Sequence, residues 1–203
     1  MEKRASHPAR RLPRAVREQQ MLDAAVRVFG RRGYQAASMD EIAEEAGVSK
    51  PLVYLYLTSK DTLFTACLRR EAHALKSAIH RATANPAAQD PEQLLWSGLL
   101  AFFTHTSEHP DGWAVLHRQA RTHGEPFAAE VASLREEIAA YVTTLIASHT
   151  NAAHASATPL AHALVGAAES LADWANRTPG TTAHQSAATL MTLTWPGLSR
   201  PAG

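Results

Sequence analysis

Residues 38–57 read as two short helices with a single residue between the end of one and the start of the next, and this spacing constrains the fold more than any other feature. Ser38 followed by Glu41 has the form of a capping box, in which a hydroxyl oxygen accepts a first-turn N–H and a carboxylate reaches back. Met39, Ile42, Ala43 and Ala46 then fall on one face, and Gly47 supplies a residue that can end a helix at positive φ. Only Val48 separates Gly47 from Ser49, a second N-cap. A helix that restarts so soon must cross its predecessor steeply, which is the helix-turn-helix arrangement.

The other apolar segments repeat at three and four residues and none alternates strictly, which predicts an all-α chain. A first helix is expected over Arg14–Arg32, with Leu22, Ala25, Val26 and Phe29 on one stripe and Gly33 as a left-handed cap. A fourth, capped by Ser59, is expected from Lys60 to about Ala84, with Leu63, Phe64, Cys67, Leu68, Leu75 and Ile79 inward. Asn85 and Pro86 through Pro91 read as a linker. Further helices are expected near 91–109, 113–122, 126–149, 159–176 and 182–195, punctuated by Pro110-Asp111-Gly112, Gly124, Pro126, Pro159 and Pro179-Gly180. The organisation is then a basic arm over 1–13, a three-helix domain over 14–58, a connecting helix over 59–84, a larger helical domain over 85–195 and a loose tail over 196–203.

At 203 residues and 45% hydrophobic content the chain can bury a sizeable core. Its apolar runs fall short of the roughly 20 residues a membrane span needs, and MEKRASHPARRLPR lacks the apolar centre of a signal peptide, so a soluble cytoplasmic protein is expected. Cys67 is the sole cysteine, which leaves no intrachain disulfide or thiolate cluster and makes a buried thiol the expectation. Residues 1–60 carry 11 Lys and Arg against 7 Asp and Glu, whereas residues 61–203 carry 9 against 12. The excess of positive charge therefore sits in the first quarter and suits a polyanion.

The third helix displays an unusual surface. Val53 and Leu57 lie four apart and join Val48 against the first two helices; Lys50 and Tyr54 share a second face, Leu52 and Tyr56 a third. Lys50 and Lys60 both stand in a first turn, where a cation opposes the helix dipole at about 0.3–1 kcal/mol when unscreened. A phosphate at either helix start reverses the sign, because free N–H groups and the ammonium bind it together. DNA is the simplest anion with phosphates on both sides of one short helix. The competing reading sends the lysines into solvent and packs the tyrosines on neighbouring turns, which explains each residue singly but not the capping box, the short turn and the basic arm together.

Over residues 14–64 the sequence resembles the TetR family of transcriptional regulators, on MLDAAVRVFGRRGY (21–34), SMDEIAEEAGVSKPLVYLYLTSKDTLF (38–64) and the spacing between them. The resemblance implies an all-helical homodimer with a three-helix DNA-binding domain and a divergent effector-binding and dimerisation domain over 85–195. Most such proteins are repressors that a small molecule releases from a double-stranded, pseudo-palindromic operator. Tyr54 and Lys60 match the family's phosphate-gripping residues. Ser49, Lys50, Pro51, Leu52 and Tyr56 match positions that face the major groove, where Lys50 can donate to guanine and Leu52 can touch a thymine methyl. Ser38 matches the start of the second helix, close to the DNA backbone. Leu57 departs from the family's usual phenylalanine. Arg10 or Arg11 would enter the adjacent minor groove, unless the arm is only a solubilising tail. The nearer alternative is an activator of the same fold; one of a different class is a helical enzyme or a metal or ligand carrier with a vestigial head.

In the remaining two thirds, Leu95, Leu99 and Phe102 make one stripe of the 91–109 helix and Trp96, Leu100 and Phe103 another, so that helix is expected at the centre. With the effector domain implied above, Trp96, Phe103, Trp113, His117, Tyr141 and Trp174, together with Leu116, become candidates to line a cavity; an ordinary filled core is the alternative. The 159–176 helix is dense in small residues (Ala161, Ala163, Gly166, Ala167, Ala168, Ala172) that let another helix approach, which with the 182–195 helix suggests a homodimer interface or, alternatively, an intrachain contact. His105 and His109 have chelating spacing but no third ligand nearby, and Glu169 and Asp173 lack a nucleophile or phosphate loop, so no metal, no cofactor and no catalytic residue is assigned.

Overall fold

The computed structural model describes residues 13–84, 90–119, 127–149 and 154–198, and none of these forms a strand. A head is built from α1 (Arg14–Arg32), α2 (Met39–Glu45) and α3 (Lys50–Tyr56), and α4 (Lys60–Ala82) leads out of it. The body comprises α5 (Pro91–Glu108), α6 (Pro110–Ala114) running into a π-helical turn (Val115–Gln119), α7 (Phe127–His149), α8 (His154–Ala175) and α9 (Ala183–Leu198). Among the described residues no helix is long and apolar enough to cross a membrane. The arm with Arg10 and Arg11, residues 85–89 of the linker, Gly124, Pro126 and the last five residues lie outside the described residues.

The turn between α2 and α3 forms by the expected route. Gly47 takes φ 65° and donates to the Glu44 carbonyl at 3.0 Å, while Val48 donates to the Ala43 carbonyl at 3.0 Å, so two orphan carbonyls of α2 are satisfied. The caps differ from expectation in three places. Ser38 Oγ accepts the Glu41 N–H at 3.1 Å, but the Glu41 carboxylate takes the Arg32 guanidinium at 3.0 Å, leaving the capping box half formed. Ser49 holds the N-cap position of α3 in extended backbone without a side-chain cap bond. Gly33 has φ 82° with ψ 159°, a glycine-type conformation that leads the chain away extended rather than as a left-handed helical cap.

Ser59 caps α4 through the Thr62 N–H at 3.1 Å. Phe64 then stands at the centre of the head's core, with Phe29, Tyr34 and Phe127 around it at centroid distances of 5.0, 4.9 and 4.9 Å. Cys67 is buried in the same core, where desolvation pushes its thiol up to about 12.

Prolines in the body punctuate less than expected. His109 alone separates α5 from α6, and Pro110 opens α6 at a position that needs no N–H. Pro159 lies inside α8, which starts at His154, and Pro196 lies inside the last turn of α9, so the tail is not loose before Leu198. Burial explains both: Ala157, Ala161 and Ile146 form a small cluster against which Leu198 packs. As expected, α5 is central, meeting α4, α6, α8 and α9. Ala161, Ala168 and Ala172 are buried within the chain, where α7 and α8 run side by side, so this half of the small-residue set serves an intrachain contact.

Head and body meet along a tight seam. A Cβ on Gly30 would lie 2.8 Å from Asp111 Cα, and one on Gly112 would lie 2.3 Å from the Glu71 carboxylate. Glu71 is itself buried and held by Arg70 at 2.8 Å, and Arg70 reaches Asp23 of α1 at 2.7 Å.

Candidate nucleic-acid interface and internal cavities

The sequence of α3 divides its residues cleanly between core and surface. Val53 is fully buried and Leu57 nearly so. Lys50, Pro51, Tyr54 and Leu55 are exposed, and Leu52 and Tyr56 are half-buried. Tyr54 keeps 41% of its surface and Leu55 73%, which makes Leu55 the most exposed large apolar residue of the chain's described part. Sequence reasoning passed over Leu55; its signal was available, since it lies four residues from exposed Pro51 on neither inward face. Tyr56 turns toward α1, where the Arg14 guanidinium sits 5.0 Å from its ring centre.

The two lysines are already occupied. Lys50 Nζ donates to Asp40 Oδ2 at 2.9 Å, an ion pair that raises its pKa, and Lys60 Nζ donates to the Gln35 carbonyl at 3.2 Å while lying 4.6 Å from the Tyr34 ring centre. The dipole penalty inferred from sequence is therefore offset within the chain rather than left standing. These contacts are exposed, and exposed pairs are worth about 0–1 kcal/mol, so both ammonium groups can exchange them for a phosphate. Other carboxylates of α2 are paired with α1: Arg27 holds Glu45 at 2.6 Å, lowering its pKa, and Arg32 holds Glu41. That pairing offsets part of the negative field α2 would otherwise cast over the surface beside α3. Ser38 and Ser49, both exposed, flank α2 and α3 at their starts.

The body contains two adjoining cavities. The first, about 130 Å³, lies between α4, α5, α7, α8 and α9, with Leu75, Phe102, Leu164 and Trp195 among its walls. The second, about 380 Å³, lies between α4, α6, the π turn and α7, and adds Arg135 and His117. Leu75, Trp113, Ile138 and Glu169 belong to both walls.

Of the six expected lining residues, Trp113 and His117 stand in these walls, stacked on each other at 4.9 Å. The other four are placed differently. Trp96 packs edge-on against His184, Phe103 is buried edge-on against Phe102 at 5.1 Å in the filled part of the core, and Trp174 is 51% exposed. Tyr141 stacks on His80 and shares a hydrogen bond of 2.7 Å with Thr83, supporting the first cavity from behind. The aromatic count of a helix does not say which neighbour is missing, so aliphatic wall residues such as Leu94, Val142 and Leu164 escaped sequence reasoning. His105 and His109 lie 4.6 Å apart at the seam, and burial together with His109 lowers the pKa of His105. Among the described residues no group of three or more His, Cys, Asp or Glu is placed to hold a metal ion.

Comparison with known proteins matches residues 21–67 to "Bacterial regulatory proteins, tetR family" and residues 91–197 to "Tetracyclin repressor-like, C-terminal domain". The chain belongs to the TetR family. A TetR-like transcriptional regulator from Rhodococcus sp. RHA1 is 41% identical and superposes with a TM-score of 0.81, over 93% of this chain and 98% of that one. The HTH-type transcriptional activator FasR of Mycolicibacterium smegmatis is 39% identical over 121 residues, 60% of this chain and 54% of its own length. The HTH-type transcriptional regulator BetI of Brucella suis is 32% identical over 121 residues, 52% of this chain and 61% of its own. The chain thus spans little more than half the length of these two relatives. TetR-family proteins are DNA-binding transcriptional regulators rather than enzymes, and the fold described here is theirs.

Proposed function

We propose that this TetR-family protein binds a pseudo-palindromic operator as a homodimer and acts as a repressor that a small molecule releases from DNA. One observation carries the reading: side chains within a single turn, from α6 into the π turn, belong to different cores. Trp113 lines both cavities of the body, Val115 is buried in the core of the head, and Leu116 packs against both. Anything that moves Trp113 moves a residue under the DNA-reading helices. The π turn that carries Val115 is a rare form of helix found mostly at functional sites, which suits a segment with two positions.

At the DNA, α3 presents Lys50, Pro51, Leu52, Tyr54 and Leu55 to the major groove, with Ser49 beside them and Tyr56 turned instead toward Arg14 of α1. Ser38, Tyr54 and Lys60 contact phosphates on either side, and Arg10 or Arg11 enters the minor groove. An apolar stripe on α8 and α9 supports the dimer. Leu160, Ala163 and Trp174 are exposed along α8, and Leu193 is 72% exposed on α9. Two heads on such an interface have a fixed spacing, and effector that favours a different spacing disfavours the DNA-bound state.

FasR is named an activator, and that second reading differs only in where the operator lies relative to the promoter. Fluorescence anisotropy on the DNA flanking the protein's own gene, titrated with salt and with candidate effectors, tests the proposal. A steep negative salt slope and effector-dependent release are expected. Binding no tighter than to random DNA across a genomic selection would refute the operator, and a reporter with the operator moved upstream of the promoter separates repression from activation.

A further inference from the structure

We propose that Arg14, the first residue of α1, grips a DNA phosphate, and that Tyr56 is the positioning residue that seats its guanidinium rather than a reader of bases. This assignment rests on DNA binding by the head and adds to it a contact from outside α3.

Arg14 differs from the other arginines of its helix. Arg27, Arg31 and Arg32 hold the carboxylates of Glu45, Asp111 and Glu41. Arg14 forms no ion pair among the described residues, although Glu18 stands four positions on, the spacing of a helical pair. The first turn of α1 carries no acidic residue to compete for it. Its guanidinium lies instead over the Tyr56 ring, 5.0 Å from the centre. The ring attracts the cation through its π face and offers no lone pair in a hydrogen-bonding direction. The five N–H donors of the guanidinium therefore remain for an acceptor, and their planar fork matches two oxygens of one phosphate.

The seat also fixes where those donors stand. Tyr56 closes α3, is half-buried, and packs on the head's core. Its neighbour Leu55 and the residues Lys50, Pro51 and Tyr54 form the exposed side of α3. Arg14 thus emerges at the edge of the surface α3 presents, tied to it through a ring that the core holds. Lys60 is built in the same way: it lies 4.6 Å from the Tyr34 ring centre, and Tyr34 also packs on the head's core. Two cations of the head, at the starts of α1 and α4, are each seated on a core-anchored tyrosine, and neither forms an ion pair among the described residues. A side chain already seated has less freedom to lose when it binds.

Fluorescence anisotropy of the full chain on a random-sequence duplex and on a genomically selected operator, each titrated with salt, tests this. Phosphates carry no sequence, so Arg14→Ala should weaken binding to both by about tenfold and make the salt slope shallower by about one. Arg14→Lys should restore the slope but only part of the affinity, because an ammonium keeps the charge and loses the fork. Tyr56→Phe keeps the ring and should bind like the native chain. Tyr56→Leu should weaken binding about threefold, the worth of an exposed cation–π seat, and add nothing in an Arg14→Ala background. Thermal melts monitor folding; Arg14 is exposed, so its two variants decide the matter even where Tyr56→Leu melts early. An unchanged salt slope in Arg14→Ala would overturn the proposal. A loss in Tyr56→Phe as large as in Tyr56→Leu, or equal losses from Tyr56→Leu with and without Arg14, would overturn it too, by giving Tyr56 its own contact with DNA. Native binding to the random duplex alone would refute the operator and leave these comparisons standing, whereas no binding to either duplex would refute both.

Discussion

The head and the body solve packing in opposite ways. In the head, Met21, Phe29, Ile42, Val53, Leu63 and Phe64 are fully buried, and Phe64 meets Phe29 and Phe127 edge-on. The body has more helices, yet leaves two cavities and an unpartnered indole N–H among them. A surface that reads DNA needs side chains held in fixed positions, and a filled core holds them. A domain that senses a small molecule must leave out part of its core and accept the missing dispersion contacts until a guest supplies them. At the seam Gly30 lies close against the Asp111 backbone and Gly112 against the Glu71 carboxylate, so displacement in one unit is felt by the other.

Truncation should break the contrast most directly. Phe64→Ala is expected to cost about 3–5 kcal/mol, because its site cannot collapse, while Phe102→Ala in the cavity wall should cost distinctly less. Equal losses by chemical denaturation would mean that the body is packed as tightly as the head. At the seam, Gly112→Ala drives a methyl into the Glu71 carboxylate and should cost about 1–3 kcal/mol as overpacking. Glu71→Ala added to it should recover much of the loss in the same melts; failure to recover would place the strain elsewhere.

On the DNA side, Lys60→Ala should weaken operator binding about tenfold and make the salt slope shallower by about one, and Lys50→Ala should weaken it about tenfold and relax sequence preference at its base, while stability changes by less than about 1 kcal/mol in either. A large stability loss would show that the pairs with Asp40 and Gln35 are structural rather than exchangeable. Leu55→Ala is expected to change sequence preference at one base step and to leave stability within about 0.5 kcal/mol.

The smallest effect concerns pH. The Cys67 thiol and the Tyr34 hydroxyl, the latter through burial and its bond to Asp61, are both raised to about 12. A folded pKa above the unfolded one favours the protonated, folded form, so stability is fully present below pH 9 and declines as pH rises through 9–12. The native thiol should therefore resist a disulfide reagent at pH 8 and react on unfolding; prompt reaction in the native state would contradict its burial.

Much of the head was legible from local chemistry. Gly47 and Val48 can close α2 in few ways, and a helix restarting at Ser49 can cross it in few directions, so the sequence alone set the helix-turn-helix and the outward face of α3. It also set the buried thiol and the central position of α5, because those follow from periodicity. Pro159 and Pro196 misled, since their cost is local while the burial of Ala157, Ala161 and Leu198 that offsets it comes from other helices. The partners of Lys50 and Lys60, the presence of Val115 and Phe127 in the head's core, and the void bounded by five helices were decided only by tertiary structure. Each depends on residues distant in sequence meeting in space, and a cavity is a place where such residues fail to meet, which no repeat in the chain records.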